Sequence, residues 1–330
     1  PPGGAGPLRR RGSLVPEAWR QLAPAVLLAT AVALLVALDG LWRLDRLAEG
    51  VALGLVPAGP GEDVVVVAID ERSLAELGSW PWPRGVHVRL VERLGEAAAV
   101  GFGIALIEPD RERPADDAAL VEAIRSHGRV VLPILIEAPM AGAPPIEVPP
   151  FPPLAEVARL GHADLPLDAD GVLRRTRLWG GIAPPLWPSL PLAMLQLAVP
   201  ERAAEIVAQS PPPAEEQVGT WAMSRPLLMP FADFDVAPWI VSAVDLHAGR
   251  LDPASFHGRL VLVGVTATAL AEHVLVPDGL ATKRVPAIVA QAQILAGLAG
   301  GNLIEPVSHG SAAVAASTLV LLPEVVEPEG

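Results

Sequence analysis

Five consecutive residues, Trp80, Pro81, Trp82, Pro83 and Arg84, bring rigid and aromatic side chains together just ahead of a cation. Proline fixes φ and pushes the residue before it into an extended conformation, so this stretch reads as a stiff, polyproline-like strut. The indoles of Trp80 and Trp82 can then pack at little further ordering cost, and Arg84 is held just before a helix. Two uses fit: contact with a polar ligand, or a lock between the first strand and the helix that follows. Other reactive groupings are sparse. Asp116 and Asp117 are adjacent, so they cannot share a helical face, and they read as acids at a helix N-terminus. The run "DADG" at 168–171 reads as an Asp/Gly turn. A calcium loop would need acids where Pro166 and Arg177 stand. The seven histidines show no metal-ligand spacing and are expected at surface or capping positions. No cysteine is present, so thiolate chemistry and disulfides are excluded. There is no nucleophile elbow, P-loop or dinucleotide fingerprint. The expectation is a non-catalytic chain with no cofactor and no metal.

Charge and hydropathy narrow the setting. The formal net charge is −13, and the first 20 residues are basic (Arg9, Arg10, Arg11 and Arg20), so the remainder is more acidic still. Such a body repels nucleic acid and anionic lipid. Hydrophobic residues make up 51% of the chain and the mean hydropathy is +0.42. The uncharged run Leu22–Leu38 is expected to form, within 22–42, an uncleaved transmembrane helix. Trp19 and Trp42 would be its interfacial anchors, and Ala25, Ala29 and Ala33 a helix-packing face. The basic flank places 1–21 in the cytoplasm and the main domain outside, as a single-pass protein of the inner membrane. The apolar stretch Ser311–Leu322, inside a C-terminal tail at 306–330, is too short to span.

The elements that must position Arg84 and the acids follow from periodicity. Val64–Asp70 is a continuous apolar run, expected as a strand buried on both faces. Then come a short helical turn at 71–77, the Trp/Pro loop, an amphipathic helix at 85–99 with Val88, Val91 and Leu94 inward, and a strand at 100–108. A helix at 114–128 ends on Gly128, and a strand follows at 129–137. This alternation predicts an α/β fold with a mainly parallel sheet and helices on both faces. Residues 138–153 read as a Pro-rich connection, and 162–182 and 215–234 as a β-ribbon insertion turning at "DADG". A helix at 188–198 lies between them. Helices at 242–250 and 285–301 flank a buried strand at 258–267.

The residues "VVVVAIDERSLAELGSWPWPR", followed by "GFGIALIEPD", "GHADLPLDADGVLRR", "GRLVLVGVTATAL" and "VPAIVAQAQILAGL", resemble the CHASE2 domain, an extracytoplasmic sensory module of bacterial receptors. The resemblance covers roughly 40–305 and implies a CHASE2-like domain over 43–305, with Trp80–Arg84 as its signature loop. Where the family pattern carries acids, this chain has Gly103 and His273. Pro286-Ala287 and Gln291-Ala292 stand for the family's Pro-Gly and His-Ala. The polar set expected to face a ligand or partner pocket is therefore Asp70, Arg84, Asp116, Asp117, Asp170 and Arg174, with His273 at the altered position. Family members usually continue into further membrane helices and an output domain, which these residues do not include. The expectation favours a structural or assembly subunit among other membrane protein subunits, for instance in a respiratory or light-harvesting complex. The alternative is the sensor of a signal-transduction receptor, with its ligand unknown.

Overall fold

The structure is a computed structural model, and it describes residues 26–34, 49, 53, 63–137, 143–182, 186–212, 222–224, 226–229, 231, 239–278, 281–301 and 304. The chain divides into a unit of Pro1–Leu47 with Val307–Gly330 and a unit of Ala48–Pro306. In the first, residues 26–34 are helical, with Ala29 buried, Ala33 half-buried and Leu27 71% exposed. Among the described residues no helix is long and apolar enough to cross a membrane. Trp19, Ala25, Trp42, the tail at 1–21 and the stretch Ser311–Leu322 lie outside the described residues.

The unit Ala48–Pro306 is built on strand β1 (Val64–Ile69), in which every residue is buried. Successive side chains of a strand point to opposite faces. Val64 and Val66 accordingly enter one apolar cluster, and Val65, Val67 and Ile69 the other. Helix α1 (Glu71–Leu77) follows, then α2 (Arg84–Arg93), β2 (Ala99–Phe102), α3 (Pro114–His127) and β3 (Val130–Glu137). Helix α3 ends as its sequence demands: Gly128 takes the left-handed conformation (φ 73°), and its N–H donates to the Ile124 carbonyl. The late strands β11 (Trp239–Ser242) and β12 (Leu260–Val265) flank β1, so the order is β11-β1-β12-β2-β3. All these pairings are parallel. At the far edge β3 pairs in parallel with β5 (Arg159–His162) and antiparallel with β4 (Ile146–Val148).

Helices cover both faces, as the buried-strand pattern requires. One cluster takes residues of α2, α3 and α7 (Ala243–His247), and also of α4 (Pro152–Val157). The other takes α5 (Leu190–Ala198), α6 (Pro200–Gln209) and α8 (Ala287–Gly300). Small pieces complete the unit: β6 (Arg175–Thr176) with β10 (Leu227–Leu228), β7 (Trp179–Gly181) between β8 (Trp187–Pro188) and β9 (Ala222–Met223), and the hairpin of β13 (His273–Asp278) with β14 (Ala281–Pro286).

Several sequence expectations are corrected. Helix α2 ends at Arg93 rather than 99, and β2 stops at Phe102 rather than 108, with a bend at Ile104. The inward stripe of α2 is His87, Leu90, Val91 and Leu94, with Val88 half-buried. The connection at 138–153 contains β4 and the first turn of α4. The "DADG" turn forms, with Asp168 N–H donating to Val172 O at 3.0 Å, but its arms do not pair with each other. Instead β6 pairs with β10, and β7 with β8 and β9. Hairpin β13–β14 and helix α6 were not legible as elements.

Candidate functional site

Arg84 is the first residue of α2, and the strut before it sets its direction. Gly78 ends α1 with φ at 100°, a conformation glycine tolerates best. The Trp82 indole N–H donates back to the Gly78 carbonyl at 2.8 Å. The Trp80–Pro81 bond is cis. Trp80 meets Trp82 edge-on at 5.5 Å between ring centroids, and meets His87 edge-on at 5.9 Å. His87 also meets Phe102 of β2 edge-on at 6.3 Å. The strut is thus clamped between α1, α2 and β2. Arg84 then reaches across to the next crossover. Its Nε donates to Asp117 Oδ1 at 3.3 Å, and its Nη2 donates to the Glu108 carbonyl at 2.7 Å. Asp117 is 7% exposed in this pair, and its other oxygen accepts the Asp110 N–H at 2.6 Å. Asp116 lies beside Gly85, whose Cβ position is 3.5 Å from Asp116 Oδ2. Arg84, Asp116 and Asp117 therefore come together where α2 and α3 begin, at the carboxyl edge of the sheet. Open α/β sheets use that edge for ligands.

The other expected pocket residues belong to different groups. Asp70 caps α1: its carboxylate accepts the Ser73 N–H at 2.8 Å, the Ser73 hydroxyl at 2.6 Å and the Ser242 hydroxyl at 2.8 Å. Burial acts to raise the Asp70 pKa, but these hydrogen bonds outweigh it and hold the carboxyl below its ordinary value. Asp170 and Arg174 pair through both guanidinium nitrogens at 2.9 Å. That contact is the main cause of the lowered Asp170 pKa. His273 begins β13 opposite Pro286, with Nδ1 2.8 Å from the Ala271 carbonyl.

Between the carboxyl ends of β2 and β12 the space is apolar. A Cβ at Gly103 would sit 2.5 Å from Ile288 Cδ1, and one at Gly264 would sit 2.5 Å from Ile288 Cγ1. Ile288, in the first turn of α8, fills the space between these strand ends. A side chain at 103 would have to push the Ile288 Cδ1 aside, which gives a steric reason for the glycine.

Sequence reasoning missed His87 and His162 as interior groups; both are buried, not at the surface. The histidine at 87 shares the helical spacing of Leu90, Val91 and Leu94, and that periodicity was the available signal. His87 Nδ1 has no hydrogen-bond partner among the described residues. Burial first, and the Arg84 charge second, lower its pKa to about 4. Burial also lowers the His162 pKa to about 4. Ser73, Ser242, Asp110 and Ile288 were missed because nothing local marks them. Each acquires its role from a partner on another element.

A family model described as the CHASE2 domain matches residues 25–322, most of the chain. No curated protein and no solved structure gives a significant match.

Proposed function

The chain belongs to the CHASE2 domain family, whose members are extracytoplasmic sensory modules, and on that premise we propose that the unit Ala48–Pro306 is the sensory domain of a membrane-bound receptor. The family match carries this reading. It favours the sensor over the assembly subunit. The domain would lie outside the cytoplasmic membrane and act by binding rather than catalysis. The face that best suits a polar ligand is the meeting point of Arg84, Asp116 and Asp117. It joins a guanidinium and carboxylates at the start of two helices, next to the carboxyl edge of the parallel sheet. The neighbouring space over Gly103 is occupied by Ile288, so a ligand there would first have to displace an apolar side chain.

Mild-detergent extraction from the native membrane, followed by size exclusion with mass analysis, tests the reading. A sensor should elute alone, with further copies of itself, or with a kinase or cyclase. A fixed-stoichiometry complex with unrelated membrane subunits would overturn it and restore the assembly role.

A further inference from the structure

Glu49 and Ile304 are the described residues nearest the two ends of the unit Ala48–Pro306. Both are held by one small ribbon, β6 with β10. Both oxygens of the Glu49 carboxylate accept from Arg175 Nη2, at 2.9 and 2.8 Å. Arg175 Nε donates to Asp168 at 3.0 Å, and Asp168's other oxygen accepts Arg174 Nη1 at 3.2 Å. These charges are sheltered: the side chains of Arg174 and Asp168 are 8% exposed, and that of Arg175 is 13% exposed. Loss of one partner from such a network leaves a desolvated charge behind, so the contact is worth more than a surface ion pair.

Arg175 lies opposite Leu228 in the β6–β10 register. Leu228 in turn exchanges backbone hydrogen bonds with Ile304, at 2.8 Å from its N–H and 3.4 Å back. Glu49, Arg175, Leu228 and Ile304 thus form one row across the ribbon. The same ribbon is tied toward the sheet's carboxyl edge. Just before β6, Leu173 N–H donates to the Leu275 carbonyl at 2.7 Å. Leu275 lies in hairpin β13–β14, which runs directly into α8 and Ile288.

We infer that ribbon β6–β10 is the output joint of the domain, gripping its incoming and outgoing segments through the Glu49–Arg175–Asp168 ion network and the Leu228–Ile304 bridge. A displacement of hairpin β13–β14 then shifts both segments together rather than one. This inference rests on the sensory reading. It is a coupling between two contacts, and such coupling is reciprocal.

Hydrogen exchange on the full chain, without any ligand, tests it. In Glu49→Gln the Leu228 and Ile304 amides should exchange about tenfold faster. In Ile304→Pro, which removes one of the bridge N–H donors, the Glu49 and Arg175 amides should accelerate in return. Amides in β1 and β12 should stay as in the wild type. Acceleration confined to the Glu49 and Arg175 amides, with Leu228 and Ile304 unchanged, would overturn the joint, and so would an even acceleration through β1 and β12, which would mark a general loss of stability. Neither result depends on ligand binding or on a signalling partner, so the joint can fail while the sensory reading stands.

Discussion

Ile288 meets Gly103, just past the end of β2, and Gly264 of β12, and the contacts are unequal. A methyl at Gly103 would press on the terminal Cδ1 alone, at 2.5 Å, whereas one at Gly264 would press on Cγ1 at 2.5 Å and on Cβ at 2.8 Å. A side-chain end can swing away more easily than a Cβ fixed to a helix backbone. Gly264→Ala should therefore cost about 2–3 kcal/mol and Gly103→Ala about 1 kcal/mol. Adding Ile288→Ala should recover much of the Gly264→Ala loss as a coupling energy. Denaturant midpoints at unchanged slope measure all three. Equal costs for the two glycines would contradict the packing. Arg84→Ala strips Asp117 of its guanidinium partner in a site where that carboxylate is 7% exposed, and should cost about 3 kcal/mol. Arg84→Lys, which keeps the charge, should cost less, as read from the same midpoints.

The Trp/Pro strut acts on whole elements. Trp82 is 3% exposed, and its indole N–H closes on the carbonyl of the residue that ends α1. Removing the ring opens a cavity between α1, α2 and β2 and frees that carbonyl. Trp82→Ala should lower stability by about 3–5 kcal/mol. Trp80 is only half-buried, so Trp80→Ala should cost clearly less, with thermal midpoints giving the order. An inverted order would mean that Trp80, not Trp82, carries the lock. Rigidity here also serves the ligand face, because Arg84 begins the helix that the strut anchors.

At the scale of the molecule, the buried histidines should contribute to the response to acid. The pKa values of His87 and His162 are lowered to about 4, against an ordinary 6.5. Above about 6.5 neither the folded nor the unfolded chain binds these protons. Between about 6.5 and about 4 only the unfolded chain does, so stability falls as pH drops through that window. The slope should be ~1.4 kcal/mol per pH unit for each histidine. His87→Phe should remove the His87 share of this slope in chemical unfolding followed against pH. A slope unchanged by the substitution would show that His87 titrates normally in the fold.

Much of the outline was legible in the chain alone, because local pattern reports which faces of an element are buried. The run Val64–Ile69 announces a strand covered on both sides, and the acids and terminal Gly128 of α3 mark its polarity and end. The order of Trp80–Arg84 and the later segments identifies the CHASE2 family, which the match over 25–322 bears out. Local pattern does not report neighbours. That β12 lies between β1 and β2, that Ile288 closes over Gly103 and Gly264, and that Glu49 meets Arg175 across 126 positions all depend on how finished elements pack. Asp70 shows the difference within one residue. The sequence reading places it at the end of the first strand, but its bond to Ser242, 172 positions away, exists only because β11 lies beside β1. Periodicity fixes a side chain's direction within its own element, and only the register between elements decides what it meets there.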